Sequence, residues 1–105
     1  NHPLYGALER DLAAFLGCED AVVLASGYLA GAAAVRAVAE VDEPVTLLLA
    51  EHAHQSLKDA ARLSGWPTVT FTDGVPQRPP AARVVLLTEG VVPGTGVQPP
   101  LAAYR

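Results

Sequence analysis

Ser26-Gly27-Tyr28 stands between the apolar run Ala21 to Ala25 and the Ala/Gly-rich stretch Leu29 to Ala39. A short strand that breaks at Ser-Gly and restarts as a helix exposes backbone N–H groups and a hydroxyl at the helix N-terminus, where they can grip an anion such as a phosphate. The same residues serve as an ordinary N-cap and turn. Two further polar segments follow apolar runs: Glu51-His52-Ala53-His54 after Val45 to Leu49, and Thr88-Glu89-Gly90 at the end of the run from Val84. They offer an imidazole and a carboxylate. In open α/β sheets ligands sit beyond the carboxyl ends of the strands, so parallel strands would bring all three segments to one rim.

Other chemistries fit the residues less well. His52 and His54 with Glu51 imitate a metal site, but His-x-His without a further cluster of ligands is usually incidental. A Ser26-His54-Asp59 hydrolase triad lacks the G-x-S-x-G elbow. Gly94-Thr95-Gly96 has neither the spacing of a dinucleotide fingerprint nor the Gly-Lys pair of a P-loop, and reads as a turn. The only lysine, Lys58, reads as a solvated side chain one turn after His54. Cys18 reads as a small apolar filler, and Trp66 as a cover for a helix end or part of an interface.

The elements that must position these groups alternate along the chain. Leu4, Leu8, Leu12 and Phe15 with Leu16 recur at helical spacing, with Glu9, Arg10 and Asp11 between them and Gly17 as a left-handed stop. Residues 1–17 therefore read as an N-terminal amphipathic helix. Ala21 to Leu24 reads as a short strand, and Tyr28 to Ala39 as a helix whose small residues permit close approach to a neighbour, with Arg36 and Glu40 on its wet side. Val45 to Leu49 is a continuous apolar run without alternation, as expected of a parallel strand covered on both faces. His54 to Ser64 reads as a helix ended by Gly65, Thr68 to Phe71 as the next strand, Asp73 to Ala82 as a Pro- and Gly-rich loop, and Val84 to Thr88 as a further strand. The predicted fold class is α/β, built from βαβ units around a mostly parallel sheet, in one domain over residues 1–105.

Composition narrows the function classes. The chain has 105 residues, 50% of them hydrophobic, a mean hydropathy of +0.26 and a net charge of −4, with seven scattered basic residues. That is enough apolar material for a core, and it offers no basic face to a nucleic acid or an anionic membrane. The single cysteine excludes an internal disulfide, and no segment approaches the roughly 18 to 20 apolar residues of a membrane helix. The start resembles no signal peptide, so a soluble, cytoplasmic protein is expected. The chain has no Met, and Pro99 to Arg105 reads as the opening of an unfinished helix, so an excerpt of a longer protein is expected.

Three motifs in order carry a resemblance: ASGYLAG at 25–31, EHAHQSLKDAARLSG at 51–65 and TEGVVPGTGVQPPL at 88–101. Together with the opening HPLYGALERDLAAFLG, they resemble successive motifs of the α-oxoamine synthases over nearly the whole chain. The resemblance implies a fold-type I aminotransferase architecture, of which these residues form the first part of the large domain. It implies a pyridoxal-phosphate acyltransferase that condenses an amino acid with an acyl thioester and releases carbon dioxide. It also implies a homodimer, and an acyl donor carried by coenzyme A or by a carrier protein.

By that resemblance Ser26, Gly27 and the Tyr28 amide match the turn that binds the cofactor phosphate. His54 matches the histidine of the HASL motif that stacks on the pyridine ring. Glu89 matches the TEG segment near cofactor and substrate, and Ser56 reads as a helix cap or packing contact. No catalytic residue is expected within the chain, because the Schiff-base lysine and the aspartate facing the pyridine nitrogen belong to later motifs. The chain alone is therefore expected to be inactive. Departures from the family pattern are also visible. Pro93 replaces a serine that hydrogen-bonds the cofactor, Thr95 and Val97 replace acidic residues, Ala50 stands for an Asp, and Gln55 for the Ala of HASL. They leave open a degenerate member that serves as a scaffold or dimer partner.

Overall fold

The computed structural model describes residues 2–39, 43–72, 74–81, 83–92 and 94–104. Helix α1 spans Pro3–Leu16 and α2 spans Gly27–Ala39; strand β1 (Val45–Ala50), helix α3 (Gln55–Ser64), strand β2 (Thr68–Phe71) and strand β3 (Arg83–Leu87) follow, with a final 3-10 turn over Leu101–Tyr104. The strands form a parallel sheet in the order β2-β1-β3, with Leu47 opposite Thr68 on one side and Val85 on the other.

The caps explain the helix bounds. Pro3 occupies the first turn of α1, the Nδ1 of His2 accepts from the Leu4 N–H, and Gly17 ends the helix at φ 67°. The Gly17 and Cys18 N–H groups return to the carbonyls of Ala14 and Ala13, a Schellman stop that only a residue tolerant of positive φ allows cheaply. Helix α3 starts at His54 and ends at Gly65, φ 72°.

Central β1 is buried along both faces, which is why its apolar run has no alternation. Val45, Leu47 and Leu49 face α2 and α3 and form the core with Val35, Ala53, Ala60, Ala61 and Leu87. Leu48 points to the opposite face, where it lines a cavity together with Val75, Pro76, Val84, Leu86 and Tyr104. That face is covered by coil and the 3-10 turn, and the ring of Tyr104 meets Phe71 edge-on at 6.2 Å between centroids. Helices α2 and α3 approach closely; a Cβ on Gly31 would lie 3.5 Å from Leu57 Cδ2. Such contact is what the Ala/Gly composition of α2 permits.

Three expectations are corrected. Ala21 to Leu24 is extended coil, not a strand: its Val23 N–H donates to Glu9 Oε1 at 2.9 Å instead of to a sheet neighbour, and a strand needs a partner to complete its ladder. Helix α1 forms as expected and leaves its apolar face open, with Phe15 and Leu16 exposed and Ala13 its one buried residue. Cys18 is exposed, its Sγ directed to the Asp20 carbonyl, and fills no core space. The third apolar strand runs Arg83–Leu87, one residue earlier than its sequence pattern suggests. Trp66 packs half-buried against the core, and Arg36 is exposed as expected. Glu40, Asp73, Ala82 and Pro93 lie outside the described residues. Among those described, no helix is long and apolar enough to cross a membrane.

Candidate functional site

The carboxyl ends of all three strands open onto a cleft of about 160 Å³, lined by Ala50 from β1, Phe71 and Thr72 after β2, and Thr88 and Glu89 after β3. His52, Gln98 and Tyr104 complete its polar lining. Of the expected rim, Glu89 lines this cleft, whereas Ser26-Gly27-Tyr28 and His54 do not, because no strand precedes α2 to carry its first turn there. Sequence reasoning dismissed His52 with the His-x-His pair; its position two residues beyond a strand end is the signal that marks it as a cleft residue.

His54 stands beside this cleft as the N-cap of α3. Its Nδ1 accepts from the Ser56 N–H at 3.2 Å and lies 2.9 Å from Ser56 Oγ. That contact turns the Nδ1 edge of the ring toward the first turn of α3. Ser56 is thus the cap's partner; the cap itself is the histidine. His54 also has a backbone N–H to satisfy. In a capping box a Glu or Gln at the third helical position reaches back to it, but that position is Leu57 and the first turn of α3 has no acid. The missing carboxylate comes from elsewhere: Glu89 Oε1 accepts from the His54 N–H at 2.8 Å across 35 residues of sequence. That bond ties the end of β3 to the start of α3.

Ser26 caps α2. Its Oγ accepts from the Leu29 N–H at 3.2 Å, and its carbonyl from the Ala30 N–H at 3.0 Å. The Gly27 and Tyr28 N–H groups have no partner among the described residues, and a Cβ on Gly27 would meet nothing within 4 Å. With the hydroxyl hydrogen of Ser26 still free to donate, three donors and the positive end of the helix dipole face open space. Among the described residues no hydrogen bond joins Ser26 or Gly27 to His54 or Glu89. The link from α2 to α3 is Tyr28, whose hydroxyl donates to Asp59 Oδ2 at 3.1 Å. Sequence reasoning gave Asp59 no role beyond the dismissed triad, although its pairing with Gln55 at helical i,i+4 spacing is a readable signal.

The electrostatics follow these contacts. Asp59 is held below the usual carboxylate range, first by the Gln55 amide at 2.8 Å and then by Tyr28 and Arg62, against some loss of hydration. Its hydrogen bond and negative charge raise the Tyr28 phenol above its ordinary value. The contacts give the triad no support, since Ser26, His54 and Asp59 share no hydrogen bond with one another among the described residues. No group of three or more His, Cys, Asp or Glu side chains converges to hold a metal among the described residues.

No family model matches the chain. Curated proteins do. The 8-amino-7-oxononanoate synthase of Methylobacterium radiotolerans is 38% identical over 110 residues, which covers 96% of this chain and 29% of that protein. Its namesake from Mycolicibacterium vanbaalenii is 39% identical over 113 residues, covering 100% and 29%, and that of Klebsiella pneumoniae is 36% identical over 106 residues, covering 94% and 27%. The chain thus spans under a third of the length of the curated relatives it matches. A parallel α/β sheet, three motifs in order on its helix starts and strand ends, and this similarity along almost every residue lead to one conclusion: the chain belongs to the α-oxoamine synthase family.

Proposed function

We propose that these residues form one wall of the cofactor site of a pyridoxal-phosphate-dependent acyltransferase, which condenses an amino acid with an acyl thioester and releases carbon dioxide. The observation that carries this reading is the Glu89–His54 hydrogen bond, because it joins two distant family motifs at the carboxyl edge of the sheet. The donor set fits the cofactor. Unpartnered N–H groups at Gly27 and Tyr28, with the Ser26 hydroxyl, suit the acceptor oxygens of a phosphate ester, and the open side of Gly27 gives it room.

When bound, pyridoxal phosphate supplies an electron sink for the bonding electrons released at the α-carbon of an amino acid. The residues of this chain bind and orient. Ser26, Gly27 and Tyr28 hold the phosphate; His54 presents a flat ring whose Nδ1 is anchored by the cap; Glu89 fixes the backbone that carries that ring. On this reading Glu89 acts through His54 instead of on the cofactor. A cytoplasmic homodimer with coenzyme A or a carrier protein as acyl carrier completes the proposal, supported by the family resemblance.

One observation favours the degenerate alternative. In the segment after TEG, Val92 exchanges backbone hydrogen bonds with Gly96 and Val97, and the Thr95 hydroxyl is spent on Val92 and Val97. This turn satisfies its own polar groups where the family places acidic residues. Titrating the full-length protein that carries these residues with pyridoxal phosphate and recording its visible absorption decides between the readings. A saturable aldimine band, distinct from that of the free cofactor and abolished by replacing a downstream lysine, supports the enzyme, whereas no aldimine band at saturating cofactor would sink it in favour of the scaffold.

A further inference from the structure

We propose that Asp59 is a positioning residue that fixes the N-terminus of α2 against the N-terminus of α3, and so sets where Ser26, Gly27 and Tyr28 stand relative to His54. The inference rests on the cofactor reading above and adds to it a residue to which the resemblance gives no role.

Tyr28 is the second residue of α2, in the turn where helices ordinarily fray because their first N–H groups lack partners. Here its hydroxyl is tied to Asp59, 31 residues later in the sequence. The carboxylate is itself held. Gln55, one turn earlier on α3, donates its Nε2 to Oδ1 at 2.8 Å, and Arg62, three residues later, approaches the same oxygen at 3.5 Å. Oδ1 is thus occupied by α3 and Oδ2 is left for Tyr28. Gln55 stands where the family's HASL motif has Ala, a side chain that could not orient Asp59. This departure from the family therefore has a use in the tether. One turn further along α2, Gly31 faces Leu57 in the first turn of α3, where an added Cβ would lie 3.5 Å from Leu57 Cδ2, so the two helices approach closely beside the tether and a fixed first turn of α2 means a fixed distance to the N-cap of α3. His54 is that N-cap.

The test compares Tyr28→Phe, Asp59→Asn and the double variant with the parent protein, by equilibrium titration with pyridoxal phosphate and, separately, with pyridoxal, which lacks the phosphate. Each single variant should weaken pyridoxal phosphate binding roughly three- to tenfold, the yield of one net hydrogen bond. The double variant should be no worse than either single one, and pyridoxal binding should be unchanged. Gln55→Ala should show a smaller loss in the same direction. Tyr28→Phe removes only a hydroxyl from a half-exposed ring, so it keeps the test alive if Asp59→Asn folds poorly. Unchanged pyridoxal phosphate affinity in both single variants, or an equal loss for pyridoxal, overturns the proposal. If the parent binds no pyridoxal phosphate, the cofactor reading falls by itself. The tether is then judged by spectrophotometric titration of tyrosine, with Tyr28→Phe as the blank. A Tyr28 phenol that ionises at lower pH in Asp59→Asn upholds the tether, and one that does not move refutes it.

Discussion

Replacing Glu89 by Ala leaves the His54 N–H without its partner at the start of α3. The contact is 2.8 Å long with a charged acceptor. Hydrogen bonds to charged groups contribute about 1.5–3 kcal/mol, and the half-exposed position of Glu89 lets water take part of that back, leaving about 1–1.5 kcal/mol. The carboxylate also lies at the positive end of α3, whose own first turn carries no acid, which adds about 0.3–1 kcal/mol. Glu89→Ala should therefore lower unfolding free energy by about 2 kcal/mol in denaturant titration. Glu89→Gln keeps a carbonyl acceptor and loses only the charge, so its loss should be about 0.5–1 kcal/mol. Amide exchange at His54 gives the local reading: faster in the Ala variant and near parental in the Gln variant. The reasoning is refuted if Glu89→Ala leaves His54 exchange unchanged, or if Gln is as harmful as Ala.

Leu47 is 1% exposed at the centre of the sheet, so Leu47→Ala should cost about 2–5 kcal/mol through lost burial and the cavity left behind, read from the denaturation midpoint. His54→Asn keeps an oxygen that can cap α3 but removes the ring, so its melting temperature should stay near that of the parent while pyridoxal phosphate affinity falls; His54→Ala should lose both, and a stable variant with parental affinity would rule out the stacking role. Asp59 titrates lower in the folded than in the unfolded chain, so its contribution is present above the unfolded carboxyl value near 4 and fades as pH falls through the folded one. Tyr28 titrates higher when folded, so its contribution is present below about 10 and fades as pH rises through the folded value. The stability difference between the parent and Asp59→Asn should accordingly be widest between about pH 5 and 9 and narrow at both ends; a difference flat with pH contradicts the tether.

Much of the fold was legible because its signals are local. Gly17 and Gly65 marked two helix ends through their tolerance of positive φ, and the unbroken run Val45 to Leu49 marked a strand buried on both faces. Ala21 to Leu24 had the composition of a strand, but strand formation depends on a partner at the edge, which no local pattern reports. The apolar stripe of α1 correctly indicated a helix and said nothing of what covers it. At the site, the strand-end rule placed Glu89 on the rim but favoured His54 over His52, and it could not foresee that a histidine would cap α3, since His is not a favoured N-cap. Nor could it foresee the Glu89–His54 and Tyr28–Asp59 bonds, which span 35 and 31 residues and exist only once β3 and α2 have packed. The Leu at the third position of α3 and the Gln55–Asp59 spacing were the available hints.

The central claim is that the first turn of α2 takes the phosphate end of the cofactor while His54 takes the ring. A crystal structure of the protein with pyridoxal phosphate tests it directly. Phosphate oxygens within hydrogen-bond distance of the Gly27 and Tyr28 N–H groups and the Ser26 hydroxyl, with the His54 imidazole against the pyridine face, are the predicted result. A phosphate bound elsewhere, or a cofactor ring remote from His54, would contradict the account.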